Sequence, residues 1–142
     1  MRTDRESVQR SFRLSARTVE LLDEQAAAAG GSRNALADRL LGEALRVEHH
    51  PLIRFRQGAG GRRQPLVVGT RLAVHQVVAT LRAHDGDVEE TASYFGVSPR
   101  QVRAALDYYA DFRDEVDADA AAAEQSARAE RDRWERQQRA LA

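Results

Sequence analysis

Gln9–Leu45 reads QRSFRLSARTVELLDEQAAAAGGSRNALADRLLGEAL, and the fold turns on how this stretch is read. It opens with strict alternation. Phe12 and Leu14 point one way, and Gln9, Ser11 and Arg13 the other, as the period-2 geometry of a strand requires. Ser15 offers a helix N-cap, after which Val19, Leu22, Ala26 and Ala29 recur at helical spacing. Gly30-Gly31 ends that helix, and Ser32 caps a second whose apolar residues are Leu36, Leu40, Leu41, Ala44 and Leu45. One short strand and two helices do not make a complete domain, because the strand lacks a partner and the helices bury too little apolar surface. A second copy of the chain repairs both defects. Two strands pair antiparallel and four helices close over Phe12 and Leu14, leaving Gln9, Ser11 and Arg13 facing out from a ribbon narrow enough for a DNA major groove. The competing reading is a plain helical hairpin behind a disordered arm.

Composition limits the function classes. The 142 residues contain no cysteine, which excludes a disulfide framework and a thiolate metal site. No run approaches membrane-spanning length, and the opening MRTDRESVQR is too polar for a signal peptide, so the expected location is cytoplasmic. The chain has no lysine: all 22 basic residues are arginine, balanced by 22 acids. The balance is uneven along the chain. Residues 51–72 carry 5 Arg and no acid, whereas 73–115 carry 4 Arg against 8 acids. Zero net charge predicts that any non-specific hold on nucleic acid is weak and sharply dependent on salt.

Residues 1–7 read as a disordered arm, and the strand and helix pair occupy 8–48. His49-His50-Pro51 marks a boundary, because Pro51 disfavours helix at His50. Neighbours on a helix do not share a face, and neither His75 nor His84 stands at ligand spacing, so the pair reads as solvated imidazoles; no metal and no cofactor are expected. Leu52–Arg56 and Leu66–Val68 are expected strands around a turn at Gly58–Gly61, which lacks the Gly-Lys-Ser/Thr ending of a nucleotide loop. A helix over Val74–Ala83 follows, stopped by Asp85-Gly86-Asp87. Asp87 with Glu90, and Ser98 with Gln101, read as capping boxes for helices Val88–Phe95 and Pro99–Ala110. Counting from Val88, Ala92, Gly96 and Val102 fall where a helix-turn-helix needs a small residue, a permissive turn and an apolar anchor. Its second helix would offer Arg100, Gln101 and Arg103 to DNA, although Asp107, Asp111, Asp114 and Glu115 at the far end repel a phosphate backbone. The tail, 113–142, is rich in Ala, Glu and Arg and predicts a long helix with sparse apolar surface at Ala120, Ala123, Ala127, Trp134 and Leu141. A lone tryptophan on a polar helix is suited to anchoring in a partner's groove.

The S-F-R-L-S and G-x-S-R-N-A-L runs resemble the ribbon-helix-helix family of dimeric bacterial repressors over about residues 8–48. That resemblance implies base reading by Gln9, Ser11 and Arg13, and a phosphate grip at the helix start around Ser32 and Arg33; Arg10 occupies an inward position where the family carries an apolar residue. Residues 51–112 resemble a second family, the DUF433 domain, through Pro65, Gly69, Thr70, Arg71, Leu72 and Val74, with Arg63 and Ala73 standing where its pattern has glycine and proline. That resemblance implies an antitoxin of the VapB type whose partner is a PIN-like ribonuclease toxin.

The expected architecture is therefore mainly α with short β elements. It comprises an N-terminal ribbon-helix-helix dimerisation unit, a β-hairpin with a trihelical helix-turn-helix domain, and a long C-terminal helix. The expected function is a homodimeric antitoxin that binds operator DNA and neutralises a toxin through Arg71, Arg131, Trp134 and Leu141. The alternative is a stand-alone DNA-binding regulator whose C-terminal domain oligomerises or senses. No Ser–His–acid set, metal cluster or nucleotide loop is readable, so no enzyme is expected; an enzyme of unknown chemistry is the third and weakest reading.

Overall fold

The computed structural model describes residues 6–142, so most of the expected disordered arm, 1–5, lies outside the described residues. The chain divides into two compact units, one ending at Gly42 and the other spanning Glu43–Ala142. Six helices and one two-stranded antiparallel sheet make up the secondary structure among the described residues. None of those helices is long and apolar enough to cross a membrane.

The first unit contains helix α1 (Ala16–Ala29) and the start of helix α2 (Arg33–His49). Both starts follow the side-chain chemistry of their caps. The Ser15 hydroxyl accepts the Thr18 amide at 3.2 Å, and the Ser32 hydroxyl accepts the Ala35 amide at 3.2 Å. Gly30 ends α1 in the left-handed region at φ 68°, donating its amide to Ala26. The expected strand at Gln9–Leu14 is not formed: residues 6–15 carry no strand, and Phe12 and Leu14 are 72% and 55% exposed. A strand without a neighbour has no ladder to hold it, and the single chain offers none here.

The second unit is built around a hairpin and three short helices. Strands β1 (Ile53–Gln57) and β2 (Arg63–Val67) pair in register Ile53↔Val67 through Gln57↔Arg63, joined by a single 3-10 turn at Ala59–Gly61. Leu66 makes a further isolated bridge to Ala73, which delivers the chain into helix α3 (Val74–Ala83). Gly69 takes φ 80° at the exit of β2, a conformation that favours glycine. Thr70 ties the loop, donating its hydroxyl to the Val67 carbonyl and accepting the Leu72 amide.

Helices α4 (Val88–Phe95) and α5 (Pro99–Asp111) follow with the expected limits to within one residue. Asp87 accepts the Glu90 amide at 2.9 Å, but the return half of that expected box is absent, because the Asp87 amide already donates to the His84 carbonyl. The Ser98–Gln101 box is complete. Gly96, at φ 67°, makes the turn between the two helices.

A single non-helical residue, Phe112, separates α5 from helix α6 (Arg113–Leu141). The core joins Ile53, Val67, Val74, Val77, Val78, Leu81, Ala92, Val102, Ala105, Tyr108, Tyr109 and Val116. The first turns of α6 therefore belong to this core. The break at Phe112 sets the helix phase so that Val116 and Asp119 face inward, whereas Ala120, expected on the apolar stripe, is exposed.

Candidate functional site

Helix α5 carries the densest chemistry, and a groove of about 360 Å³ runs along it. One wall is α5 itself, through Arg100, Arg103, Ala104 and Asp107; the other is the chain leaving α2, His49 to Ile53. Arg100 and Arg103 are one helical turn apart on an exposed face, as the sequence spacing requires. Arg103 pairs with Glu89 at 3.6 Å while remaining largely solvated. Gln101, expected beside them as a DNA reader, is engaged elsewhere. Its Nε2 donates to the Val68 carbonyl at 3.0 Å and its Oε1 accepts the Ser98 amide at 2.9 Å. It locks α5 to the exit of β2.

His49 and His50 meet at the end of this groove. His50 is buried, contrary to the expectation of two solvated imidazoles. The helix ends at His49, so the rule that helical neighbours diverge no longer applies to the pair; the two rings lie 5.1 Å apart at 79°. His50 is wedged edge-on against Tyr108 and Phe112, with its Nε2 2.8 Å from Asp111 Oδ2. His49 Nε2 lies 4.0 Å from that same oxygen. The three groups form the one His/Cys/Asp/Glu cluster suited to a metal ion among the described residues.

A second, smaller cavity of about 140 Å³ gathers Arg46, Arg62, Arg63, Tyr108, Glu115 and Asp119. Its charges are matched. Arg46 grips Glu115 with two bonds of 2.7 and 2.8 Å, Arg63 holds Glu43 at 2.8 Å, and Arg62 reaches the buried Asp119 at 3.1 Å. Burial works against the Arg46 cation, but Glu115 and Tyr108 together outweigh it and the net shift is upward; the hydrogen bond that Arg63 donates to Glu43 likewise raises the Arg63 pKa. Tyr108 is 1% exposed, and its hydroxyl lies beside the Arg46 guanidinium without a well-formed hydrogen bond. Burial pushes its pKa up to about 12, opposed by the Arg46 charge. Long-range ion pairs of this kind carry no signal in local sequence.

The remaining expected site residues are dispersed. Gln9, Ser11 and Arg13 are exposed on the segment before α1, which carries no regular secondary structure. Ser32 spends its hydroxyl on the cap of α2, and Arg33 pairs with Asp23 at 3.2 Å. Arg71 is exposed in the loop between β2 and α3, and Arg54 donates to the Thr70 carbonyl of the same loop. Arg131, Trp134 and Leu141 fall on one stripe of α6, and every residue from 127 onward is exposed, including Trp134 at 59%.

Residues 61–109, from the end of the hairpin turn through Tyr109 of α5, match a family model described as "Protein of unknown function (DUF433)". No curated protein and no solved structure matches the chain.

Proposed function

We propose that the chain is a homodimeric DNA-binding antitoxin. Its N-terminal segments pair with those of a second copy to form a base-reading ribbon, and its C-terminal half holds a small ribonuclease toxin of the PIN-like type. One observation carries the reading most directly: the segment before α1 and the helical pair leave several large apolar residues uncovered, although Ala26 and Leu36 are buried. Phe12, Leu14, Leu40, Leu41 and Leu45 are each between 41% and 72% exposed, a pattern suited to closure by an identical copy. In that dimer Gln9, Ser11 and Arg13 would face the major groove, and the start of α2 at Ser32 and Arg33 would meet a phosphate. The exposed arginines of α5, Arg100 and Arg103, are a second and shorter basic edge for the same DNA. Arg71 and the α6 stripe of Arg131, Trp134 and Leu141 are assigned to the toxin.

The test combines light scattering with gel shifts on the DNA upstream of the chain's own gene. The full chain is expected to run as a dimer and to shift that DNA in preference to unrelated DNA. Arg13→Ala is expected to remain dimeric and to lose about 1–3 kcal/mol of operator binding. Phe12→Ala is expected to lose dimerisation, because it empties the shared core. A monomeric full chain, or equal operator affinity for wild type and Arg13→Ala, would overturn the ribbon assignment. Dimerisation and operator binding without any rescue from a neighbouring toxin would instead favour the stand-alone regulator.

A further inference from the structure

We infer that His49, His50 and Asp111 form a binding site for a divalent transition-metal ion of the zinc class, clamping the end of α2 to α5. The site is independent of whether the chain binds DNA or a toxin. Two imidazole nitrogens and one carboxylate oxygen are a donor set that suits zinc, cobalt or nickel and is poor for calcium or magnesium. The ligand atoms lie within 4.8 Å of one another.

Bond lengths of about 2.0–2.1 Å in a tetrahedral site place neighbouring ligand atoms about 3.3–3.4 Å apart. The His50–Asp111 separation of 2.8 Å must open by about half an ångström, and the His49–Asp111 separation of 4.0 Å must close by a similar amount. The burden of adjustment falls on the right residues. The His49 and Asp111 side chains are 80% and 48% exposed and have room to change rotamer, Asp111 giving up its bond to His50, whereas His50 is held by Tyr108 and Phe112 with its Nε2 already aimed at the carboxylate. One ligand is therefore fixed before binding and two swing in.

A plain His50–Asp111 hydrogen bond accounts for those two residues but not for His49. At the last residue of α2 the His49 ring, though largely exposed, lies with its Nε2 4.0 Å from that same oxygen and its centroid 5.1 Å from that of His50. Three protein ligands leave one coordination position open. His49 and His50 both line the groove that also holds Asp107, one turn before Asp111 on α5, so an ion between them is reached directly from solvent. Metal binding to the folded form alone stabilises it by mass action, so occupancy reads out as a higher melting temperature.

The experiment titrates Co²⁺ and Zn²⁺ into the purified full chain, with any affinity tag removed. About one equivalent of Co²⁺ is expected to give visible d–d absorption, Zn²⁺ to bleach it, and both ions to raise the melting temperature. His49→Ala and Asp111→Asn change exposed side chains, and their metal-free melts establish that each still folds. Both are expected to weaken Co²⁺ binding by at least about tenfold and to lose the metal-dependent rise in melting temperature. The inference is overturned if the full chain binds no stoichiometric metal. It is equally overturned if both variants bind as tightly as wild type, which would place the ion elsewhere.

Discussion

The side-chain amide of Gln101 donates to the main-chain carbonyl of Val68 at 3.0 Å, a contact between residues 33 positions apart. The same side chain closes the Ser98 capping box from its other end. A residue that reads from sequence as a DNA contact thus fastens the first turn of α5 to the exit of β2. Gln101→Ala removes both bonds, and its expected cost is about 1–2 kcal/mol of stability. Its effect on operator binding is expected to be smaller than that of Arg100→Ala, which removes an exposed cation from the same helix. Chemical denaturation and gel shifts on both variants check this. A Gln101→Ala chain with unchanged stability and lost DNA binding would restore the reader role.

Gly69 sits under that amide. A Cβ built on it would stand 3.3 Å from Gln101 Nε2, and its φ of 80° is one that side-chain-bearing residues rarely adopt. Gly69→Val should therefore destabilise the second unit by at least about 1–2 kcal/mol. Repeating the substitution in a Gln101→Ala background separates the causes: the contact disappears while the backbone strain persists. Dimerisation should be unaffected in both backgrounds. A melting temperature equal to wild type for Gly69→Val would refute the assignment.

The Tyr108 hydroxyl is buried without a well-formed hydrogen bond, so only its interaction with the Arg46 cation offsets its desolvation cost. Tyr108→Phe keeps the edge-on contact with His50 and the tilted contact with Phe112. The expected outcome in a thermal melt is no loss, or a gain of about 1 kcal/mol. A clear loss would mean that the hydroxyl is satisfied, by Arg46 or by a bound water or ligand in the adjoining cavity.

His75 gives the second unit an acid-sensitive element. Burial lowers its pKa below 6.5, with Asp119 opposing the shift, and Asp119 is itself held by Arg62. Because the folded-state pKa lies below the unfolded value, the unfolded chain binds the proton more readily. The associated stability is fully present above pH 6.5 and is lost as pH falls through the window toward the lowered folded value. His75→Gln should flatten the dependence of melting temperature on pH in that window. An unchanged slope would assign the acid sensitivity to other groups.

The elements best read from sequence are those whose limits are local chemistry. Ser15, Ser98 and Gly96 each end or begin a helix through a bond made within four residues, and these limits are visible in the residue types. What escaped the sequence depends on the chain returning to itself. The Arg46–Glu115 pair spans 69 positions, and the inward phase of Val116 and Asp119 follows from the one-residue break at Phe112. His50 escaped for a related reason: it lies just past the end of α2 at His49, where a rule valid inside a helix fails. The ribbon at Ser11–Leu14 is a different case, since its proposed partner strand belongs to another copy.

The phase of α6 also decides how the tail is tested. A chain ending at Phe112 would lose Val116, 2% exposed, and the Arg62–Asp119 pair, so its failure would report damage to the core. A chain ending at Ser126 keeps every buried or half-buried residue of α6 and removes only exposed ones, Trp134 among them. That shorter chain is expected to melt at the wild-type temperature, to dimerise and to shift operator DNA as before. If the stripe of Arg131, Trp134 and Leu141 is what the toxin grips, the shorter chain should nevertheless fail to rescue cells expressing the neighbouring toxin. Trp134→Ala should weaken the complex by about 2 kcal/mol or more, because a tryptophan buried at the centre of an interface is a typical hot spot. Full rescue by the chain ending at Ser126 would remove α6 from the interface. The toxin-binding surface would then have to lie among the arginines of residues 54–71, which carry no acidic neighbour in sequence.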